Sequence, residues 1–444
     1  MNDKVTLNQD STKKDIINNL YWAVLGKVVT LLGSLFVGII VARYLGPEDY
    51  GLMNYVVSYV MLFQIISVFG LDGIEIREFS KGKYTANLII GTALSIRIVL
   101  SVIVVPATIL TSFFLESDFY TIVLVSVYAF SIIANSLNVV RNYFTAMMRN
   151  KYVVLSEIGR TLFSVSIKLI LLFYNAPLIW FIIALSLDIF ILALGYLRCY
   201  SQIFGKIKEW SFDKTLCVFL IKESWPLLLT SAAVILYQKI DQVFIGQMIN
   251  KESVGFFAVA SRFVDILIYL PYILSDTISP VLVRKRNISE NNYRENAQLF
   301  MNCTFWLSLF AATLLCLFSK PLVLLLFGEA YMPSVAILQI LSFKAAAISL
   351  STTAGRLLVI EGVQRFAIIR DSFGCVVCVM LNIIFLPTYG VYAAAFIAIV
   401  SNLCAGYVAD LFVPAYRGLF RMQTKTLLFG WKDILKFNSI IRVR

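Results

Sequence analysis

The sequence predicts an all-α integral membrane protein with twelve transmembrane helices arranged as two six-helix bundles. Three observations predict it. Of 444 residues, 59% are apolar and only 14% are charged, with a mean hydropathy of +0.83, against roughly 25% charged in an ordinary soluble domain. So few charges cannot cover the surfaces of soluble domains, and a chain with 34 Phe and 22 Tyr cannot stay solvated as a disordered one. The second observation is a succession of apolar runs near 20 residues, the length that crosses a bilayer at 1.5 Å per residue. The third is the placement of the basic residues.

The spans are read at 17–42, 51–71, 86–114, 119–140, 152–174, 177–198, 217–247, 253–280, 297–326, 334–359, 364–386 and 390–414. The loops between them are short and carry Gly, Pro and Asn, as in LGPEDYG, FGEAYMPS and LPTYG. They leave no room for an extramembrane catalytic domain. Ahead of the first span, MNDKVTLNQDSTKKD is polar. The apolar run after it is too long for a signal-peptide core and no A-x-A site follows, so the first helix is expected to stay in the membrane.

With the N-terminus in the cytoplasm, segments 1–16, 72–85, 141–151, 198–214, 281–296, 361–371 and 417–444 hold 26 Lys/Arg, and the outward loops hold two, Arg43 and Lys251. That asymmetry predicts both termini on the cytoplasmic side. It also reads the net charge of +12 as loop charge that sets topology, with no nucleic-acid partner. The expected organisation is a cytoplasmic segment 1–16, a bundle 17–198, a cytoplasmic linker 199–216, a second bundle 217–414 and a basic tail 415–444. A weak internal repeat supports two bundles. ARYLGPEDYGLMNYVVS after the first span matches QMINKESVGFFAVAS after the seventh, pairing Glu48 with Glu252 and Gly51 with Gly255 at an offset of 204. Six spans separate the copies, so the two halves share one orientation, about an axis along the membrane normal. In the tail, Leu427, Leu428, Trp431, Ile434 and Leu435 are expected to share one face of an interfacial amphipathic helix flanked by Lys432 and Lys436.

The chain has no histidine, which excludes His-based acid–base catalysis, Ser-His triads and His metal sites. Its seven cysteines are scattered through apolar runs. Cys375 and Cys378 form a CxxC inside GCVVCVMLNIIF with no further ligands nearby, so no metal or other cofactor is expected.

Ionisable residues inside the spans are the most informative feature, because each costs roughly 2.5–3.5 kcal/mol at a helix centre. Seven basic residues lie deep: Lys27, Arg97, Arg160, Lys168, Lys239, Arg262 and Lys344. The deep acids are Asp188, Asp241 and Asp265, open to coupling or charge-partner roles. Some cations have local structural explanations. Arg262 and Asp265 are three apart on one helix, Arg160 has Glu157 one turn back, and Lys168 can reach Asp188 across the fifth and sixth spans. Lys239 and Asp241 are two apart and point to different sides. Lys27, Arg97 and Lys344 have no acid on their own helix. The acids run out before the cations do, and the surplus points to a solvated cationic cavity for an anionic substrate. Pro106, Pro226, Pro271 and Pro280 are expected to break or kink the third, seventh and eighth spans.

Several strings resemble one family, the polysaccharide-transporter (Wzx-type) flippases of the multidrug/oligosaccharidyl-lipid/polysaccharide superfamily. They are ARYLGPEDYG at 42–51, GLDGIEIREFSKGK at 70–83, ESWPLLLTSAAVILYQKIDQVFIG at 223–246, SVGFFAVASRFVDIL at 253–267, LLFGEAYMPSVAILQILS at 325–342 and LPTYGVYAAAFIAIVS at 386–401. The resemblance implies a MATE/MOP-like fold, two bundles around a central cavity. It implies alternating access, and a substrate of oligosaccharide repeat units on undecaprenyl pyrophosphate, moved from the cytoplasmic to the periplasmic leaflet of the bacterial inner membrane for O-antigen, capsule or exopolysaccharide. It implies membrane lipids, the polysaccharide polymerase and the chain-length regulator as partners. Related lipid flippases carry basic residues on helices 1 and 8, and Lys27 and Arg262 fall on those helices here; with Arg97 they are the foremost of the seven deep cations expected to hold the pyrophosphate, and Asp241 lies in the family's QKIDQ string. Two alternatives remain: a drug or cation antiporter of the same superfamily, which wants an acidic cavity, and a membrane-embedded polymerase or glycosyltransferase, which wants a long outward catalytic loop.

Overall fold

A computed structural model describes residues 13–363 and 366–436. Among the described residues the chain is helical throughout its ordered elements, with no strand. The first helix, α1 (Lys13–Val68), runs 56 residues. At 1.5 Å each that is about 84 Å, far longer than a hydrocarbon core of roughly 30 Å. It bends at Gly46, whose φ of 75° is cheap only for glycine, with Pro47 next. One long helix thus supplies two crossings. The same device recurs in α15 (Ala367–Leu403), bent at Gly390 with φ 64°. A π-helical turn, Cys404–Val408, then leads into α16 (Ala409–Phe412).

Between these come α2 (Leu71–Lys81), α3 (Ala86–Leu115), α4 (Phe119–Ala129), α5 (Ser131–Asn135), α6 (Asn138–Ala146), α7 (Asn150–Phe173) and α8 (Leu178–Ile203). They are followed by α9 (Lys214–Met248), α10 (Lys251–Ile288), α11 (Glu290–Leu317), α12 (Ser319–Phe327), α13 (Ser334–Leu341) and α14 (Lys344–Glu361), and after α16 by α17 (Arg417–Phe429). Nine stretches among the described residues are long and apolar enough to cross a membrane, one of them the bent 367–412. A further helix, α7, is of spanning length but carries Glu157, Arg160 and Lys168. The protein is a multi-pass membrane protein, and its architecture is consistent with twelve crossings.

The expected proline breaks are not where the helices break. Pro106, Pro226, Pro271 and Pro280 all lie inside continuous helices. A proline in lipid removes one ladder bond, whereas ending a helix there strands several backbone groups, so the helix continues. The interruptions fall at Phe130, Leu137, Phe318 and Ser342–Phe343, none of which is a proline.

The chain divides into two compact units, residues 1–45 with 56–232, and residues 46–55 with 233–444. The core of the first gathers α2, α3, α6 and α8 around Tyr143, whose ring meets Phe79 at 5.0 Å and Phe204 at 4.9 Å. Sequence reading placed 72–85 in a loop. The chain instead forms α2 there, bounded by left-handed Gly70 and Gly82, and buries Ile74, Glu75, Glu78 and Phe79. The second unit holds one cluster around Phe300, Leu350, Leu357 and Tyr416 and another around Tyr237, Cys378 and Ile397. In this unit the repeat-equivalent glycines meet. A Cβ on Gly51 would strike the Lys251 carbonyl and the Gly255 backbone, and one on Gly255 would strike the Pro47 carbonyl. Backbones touch there, so both copies need a residue without a side chain.

The tail departs from expectation. Helix α17 buries Leu419, Gln423 and Thr426, and Trp306 on α11 donates to the Thr426 carbonyl at 2.9 Å. Leu427 packs into the core of the unit, while Leu428 and Trp431 are exposed. Beyond Phe429 the chain tightens into a 3₁₀ turn, Gly430–Lys436, so the α-helix expected to run on through Leu435 ends at Phe429. The side chains of Ile434 and Leu435 lie outside the described part.

Candidate functional site

The deep charges fall into two chemical situations. In the first unit Arg97 and Lys168 are neutralised. Arg97 is 1% exposed and lies midway along α3. Its Nε donates to Glu75 at 2.8 Å and its Nη2 to Asp72 at 2.6 Å. Asn142 on α6 donates to both carboxylates, at 2.8 and 2.7 Å. Arg97 therefore has two acids, contrary to the expectation of none nearby. They were hidden because α2 was read as a loop. Lys168 donates to Asp188 at 2.7 Å and to Ser164 at 2.6 Å, the cross-helix pairing that the sequence allowed. Arg160 is half-buried on α7, and its Nε has no hydrogen-bond partner among the described residues. Lys27 lies in α1, but its side chain is outside the described part.

In the second unit two ammonium groups are left over. Lys239 on α9 and Lys344 at the start of α14 line a pocket of about 240 Å³ with Gln238, Asp265, Ile268, Tyr269, Tyr272 and Ile348. Among the described residues neither lysine makes a hydrogen bond or an ion pair. Lys344 reaches the pocket because a tight turn joins α13 to α14, with i→i+3 bonds from Ala345 to Ser342 and Ala346 to Phe343. Helix α10 supplies Asp265, Ile268, Tyr269 and Tyr272 from successive turns of one face. With two ammonium groups and one carboxylate, the pocket carries a positive excess. The phenol rings add flat apolar surface with a polar edge.

Asp241, two residues after Lys239, points the other way, about 200° around the helix. It is 1% exposed. Asn382 donates to its Oδ1 at 2.9 Å, and the Cys378 thiol lies 3.6 Å from the same atom. Among the described residues its Oδ2 and the Asn382 Oδ1 have no hydrogen-bond partner. Lys344 is the cation in electrostatic reach of Asp241. The CxxC thus contributes one thiol to a polar cluster. Among the described residues no group of His, Cys, Asp and Glu has metal-binding geometry.

Arg262 takes a third role. Its Nε donates to the Tyr50 hydroxyl at 2.7 Å, and its guanidinium lies 5.9 Å from the Tyr50 ring centre. Tyr50 is fully buried and packs edge-on against Tyr331. Asp265 is within electrostatic reach of Arg262 yet lines the lysine pocket. Sequence reasoning missed Tyr50, Tyr269, Tyr272, Asn142 and Asn382, the neutral partners. Helical spacing from Asp265 to Tyr269 and Tyr272 was the available signal for two of them.

A family model described as polysaccharide biosynthesis protein matches residues 16–286. The lipid II flippase MurJ in an inward-closed conformation superposes with a TM-score of 0.72 at 15% identity, covering 94% of this chain and 93% of that one. An inward-facing multidrug resistance MATE family transporter of the MOP superfamily gives 0.67 at 16% identity, covering 89% and 96%. A MOP superfamily transporter from Pyrococcus furiosus, described by a reversed polarity of its binding pocket, gives 0.62 at 16% identity, covering 97% of each chain. At these identities the likeness is one of fold. No curated protein matches the chain.

Proposed function

The chain belongs to the polysaccharide biosynthesis protein family, and from that premise we propose that it is a flippase for lipid-linked oligosaccharides, with a polyprenyl diphosphate as the anionic group that it binds. The observation that supports this reading is the pocket in which Lys239 and Lys344, two ammonium groups to one carboxylate and without an ion pair among the described residues, stand beside Tyr269 and Tyr272. A diphosphate offers oxygens to both ammonium groups, and the low-dielectric surroundings strengthen each contact. The phenol faces suit the apolar face of a pyranose ring, and Asp265 and Gln238 suit its hydroxyls. A cation antiporter would need the opposite balance of charge in this pocket. The substrate of this reading is an undecaprenyl-pyrophosphate-linked repeat unit, carried across the bacterial inner membrane toward the periplasm for O-antigen, capsule or exopolysaccharide.

Within this reading the seven deep cations divide. Lys239 and Lys344 hold the diphosphate. Arg262, anchored on Tyr50, sets the shape of the neighbouring wall. Arg97 and Lys168 hold the first unit together. The test is direct. Lys239→Met and Lys344→Met, each purified, are measured for undecaprenyl diphosphate binding and, in cells lacking their own copy, for glycan export. A lost charge-assisted contact of about 1.5–3 kcal/mol weakens binding roughly ten- to hundredfold. Wild-type binding and export by both variants would overturn the reading.

A further inference from the structure

Helix α17 turns one side inward, is flanked by Tyr407 at Thr424 and Phe420, and leaves a basic row exposed on the other side. Inward, Gln298 of α11 donates to the Met422 carbonyl at 3.1 Å and to the Thr426 hydroxyl at 2.9 Å, and Trp306 to the Thr426 carbonyl at 2.9 Å. Asn302 donates to Asp433 at 2.9 Å. These bonds fix the rotation of the helix. Outward, Arg417, Arg421 and Lys425 are exposed at four-residue spacing, and Lys432 is exposed beyond the helix end. No acid lies in α17, and the nearest one after it, Asp433, is held by Asn302. At the far end of this basic row, Leu428, Phe429 and Trp431 are 60%, 55% and 54% exposed. The Lys432 ammonium sits 5.5 Å from the Trp431 ring centre and 5.9 Å from that of Phe429. Just before α17, Leu411 and Phe412 at the end of α16 are also exposed.

We propose that this outward face binds the headgroups of anionic phospholipids, with Arg417, Arg421, Lys425 and Lys432 on the phosphates and Leu428, Phe429 and Trp431 in the headgroup–acyl boundary. Two features favour a lipid surface over another occupant. The patch joins a basic row to bulky apolar tips, the pattern that settles at an anionic bilayer surface. It also continues from the exposed apolar end of a spanning helix. The basic asymmetry of the loops makes this the cytoplasmic leaflet, the one whose lipids carry negative charge. The site is separate from the lysine pocket and does not depend on the substrate assigned to it.

The test uses the full chain in nanodiscs of one fixed phosphatidylcholine–phosphatidylglycerol mixture. Bromine is carried on the acyl chains either of the phosphatidylglycerol or of the phosphatidylcholine, at equal mole fraction. Quenching assigned to Trp431 is taken as the difference between wild type and Trp431→Phe. The expected result is severalfold stronger quenching by brominated phosphatidylglycerol, falling to parity in high salt. Parity is also expected in R421E/K425E, or in the milder Arg421→Gln with Lys425→Gln if the reversal does not fold. Equal quenching by the two lipids in wild type at low salt would overturn the proposal, and so would a preference that survives both salt and the charge-removing variants.

Discussion

Two pairs of deep cations, one in each compact unit, sit in opposite surroundings, although the second unit also buries an Arg370–Asp371 ion pair of its own. In the first, Arg97 is enclosed by Glu75, Asp72 and Asn142, and Lys168 by Asp188 and Ser164. In the second, Lys239 and Lys344 reach a pocket with no ion pair, while the nearest fully buried acid, Asp241, is turned aside toward Asn382. A buried charge with its partners is a structural element whose removal strands the partners. A buried charge without partners raises the energy of the empty protein and lowers it when an anion arrives. The same residue types are therefore structural in the first pair and, on the proposed reading, ligand-holding in the second. The difference lies in whether neighbouring helices supply acids.

Removing cations one at a time orders these roles. Arg97→Met should have the largest effect. It leaves Glu75 fully buried and Asp72 beside it, two carboxylates facing one another with only Asn142 between them. Breaking such a pair costs about 3–5 kcal/mol, and the folded, monodisperse fraction after detergent extraction should collapse. Arg97→Lys should not restore it, since one ammonium cannot serve two carboxylates in the fork geometry of a guanidinium. If Arg97→Met instead folds normally and only export fails, Arg97 belongs with the lysines and the comparison breaks. Lys168→Met should come next, lowering the thermal midpoint by stranding Asp188. Adding Asp188→Asn should recover most of that loss, because the uncompensated charge is gone. No recovery would show that the pair is not the reason for the cost.

How much of this was legible in the sequence follows from where the partners come from. The spanning helices and the Lys168–Asp188 pairing were readable, because apolar length and charge position are properties of a segment or of two adjacent ones. Gly51 and Gly255 stood out as repeat counterparts, though their meeting at a backbone contact did not. Arg97 was misread because its acids lie in the polar string LDGIEIREFSK, which looks like a loop and is a helix half buried against α3 and α6. The lysine pocket was less legible: Lys239 and Lys344 stood among the seven deep cations but behind Lys27, Arg97 and Arg262, and Tyr269 and Tyr272 passed as ordinary apolar residues. The bend at Gly390 falls in the string LPTYG that the sequence reads as the loop between the last two spans. The tail misled through phase. Its apolar residues fit one α-helical face only if the helix runs on past Gly430.

Lys344→Met should fall between the paired and the unpaired cations. Its ammonium makes no hydrogen bond among the described residues, yet it is the cation that Asp241 feels. Its loss should lower the thermal midpoint modestly, and Asp241→Asn in the same chain should return it toward wild type. Export should stay low in the double variant, since the pocket still lacks a cation. A double variant that regains export would assign Lys344 to Asp241 and remove it from the binding site.

Lys239→Met should have the smallest effect on stability and still abolish export, which is the sharpest form of the comparison. Lys239 is half-buried on the pocket wall, and Asp241 on the same helix points away from it. No acid is stranded when it goes. Methionine keeps most of the length of the side chain and loses the ammonium, so the pocket wall that Lys239 helps to form is preserved. Substitutions that touch no such feature stay within about 0.5 kcal/mol, and the thermal midpoint of empty Lys239→Met should match that of wild type. The difference should appear only with ligand. Undecaprenyl diphosphate should raise the midpoint of wild type and fail to raise that of the variant, because stabilisation by a ligand scales with its affinity. If Lys239→Met is destabilised without ligand as strongly as Lys168→Met, its charge is structural after all and the two units do not differ. If the variant gains the same ligand-induced shift as wild type, the diphosphate is held elsewhere.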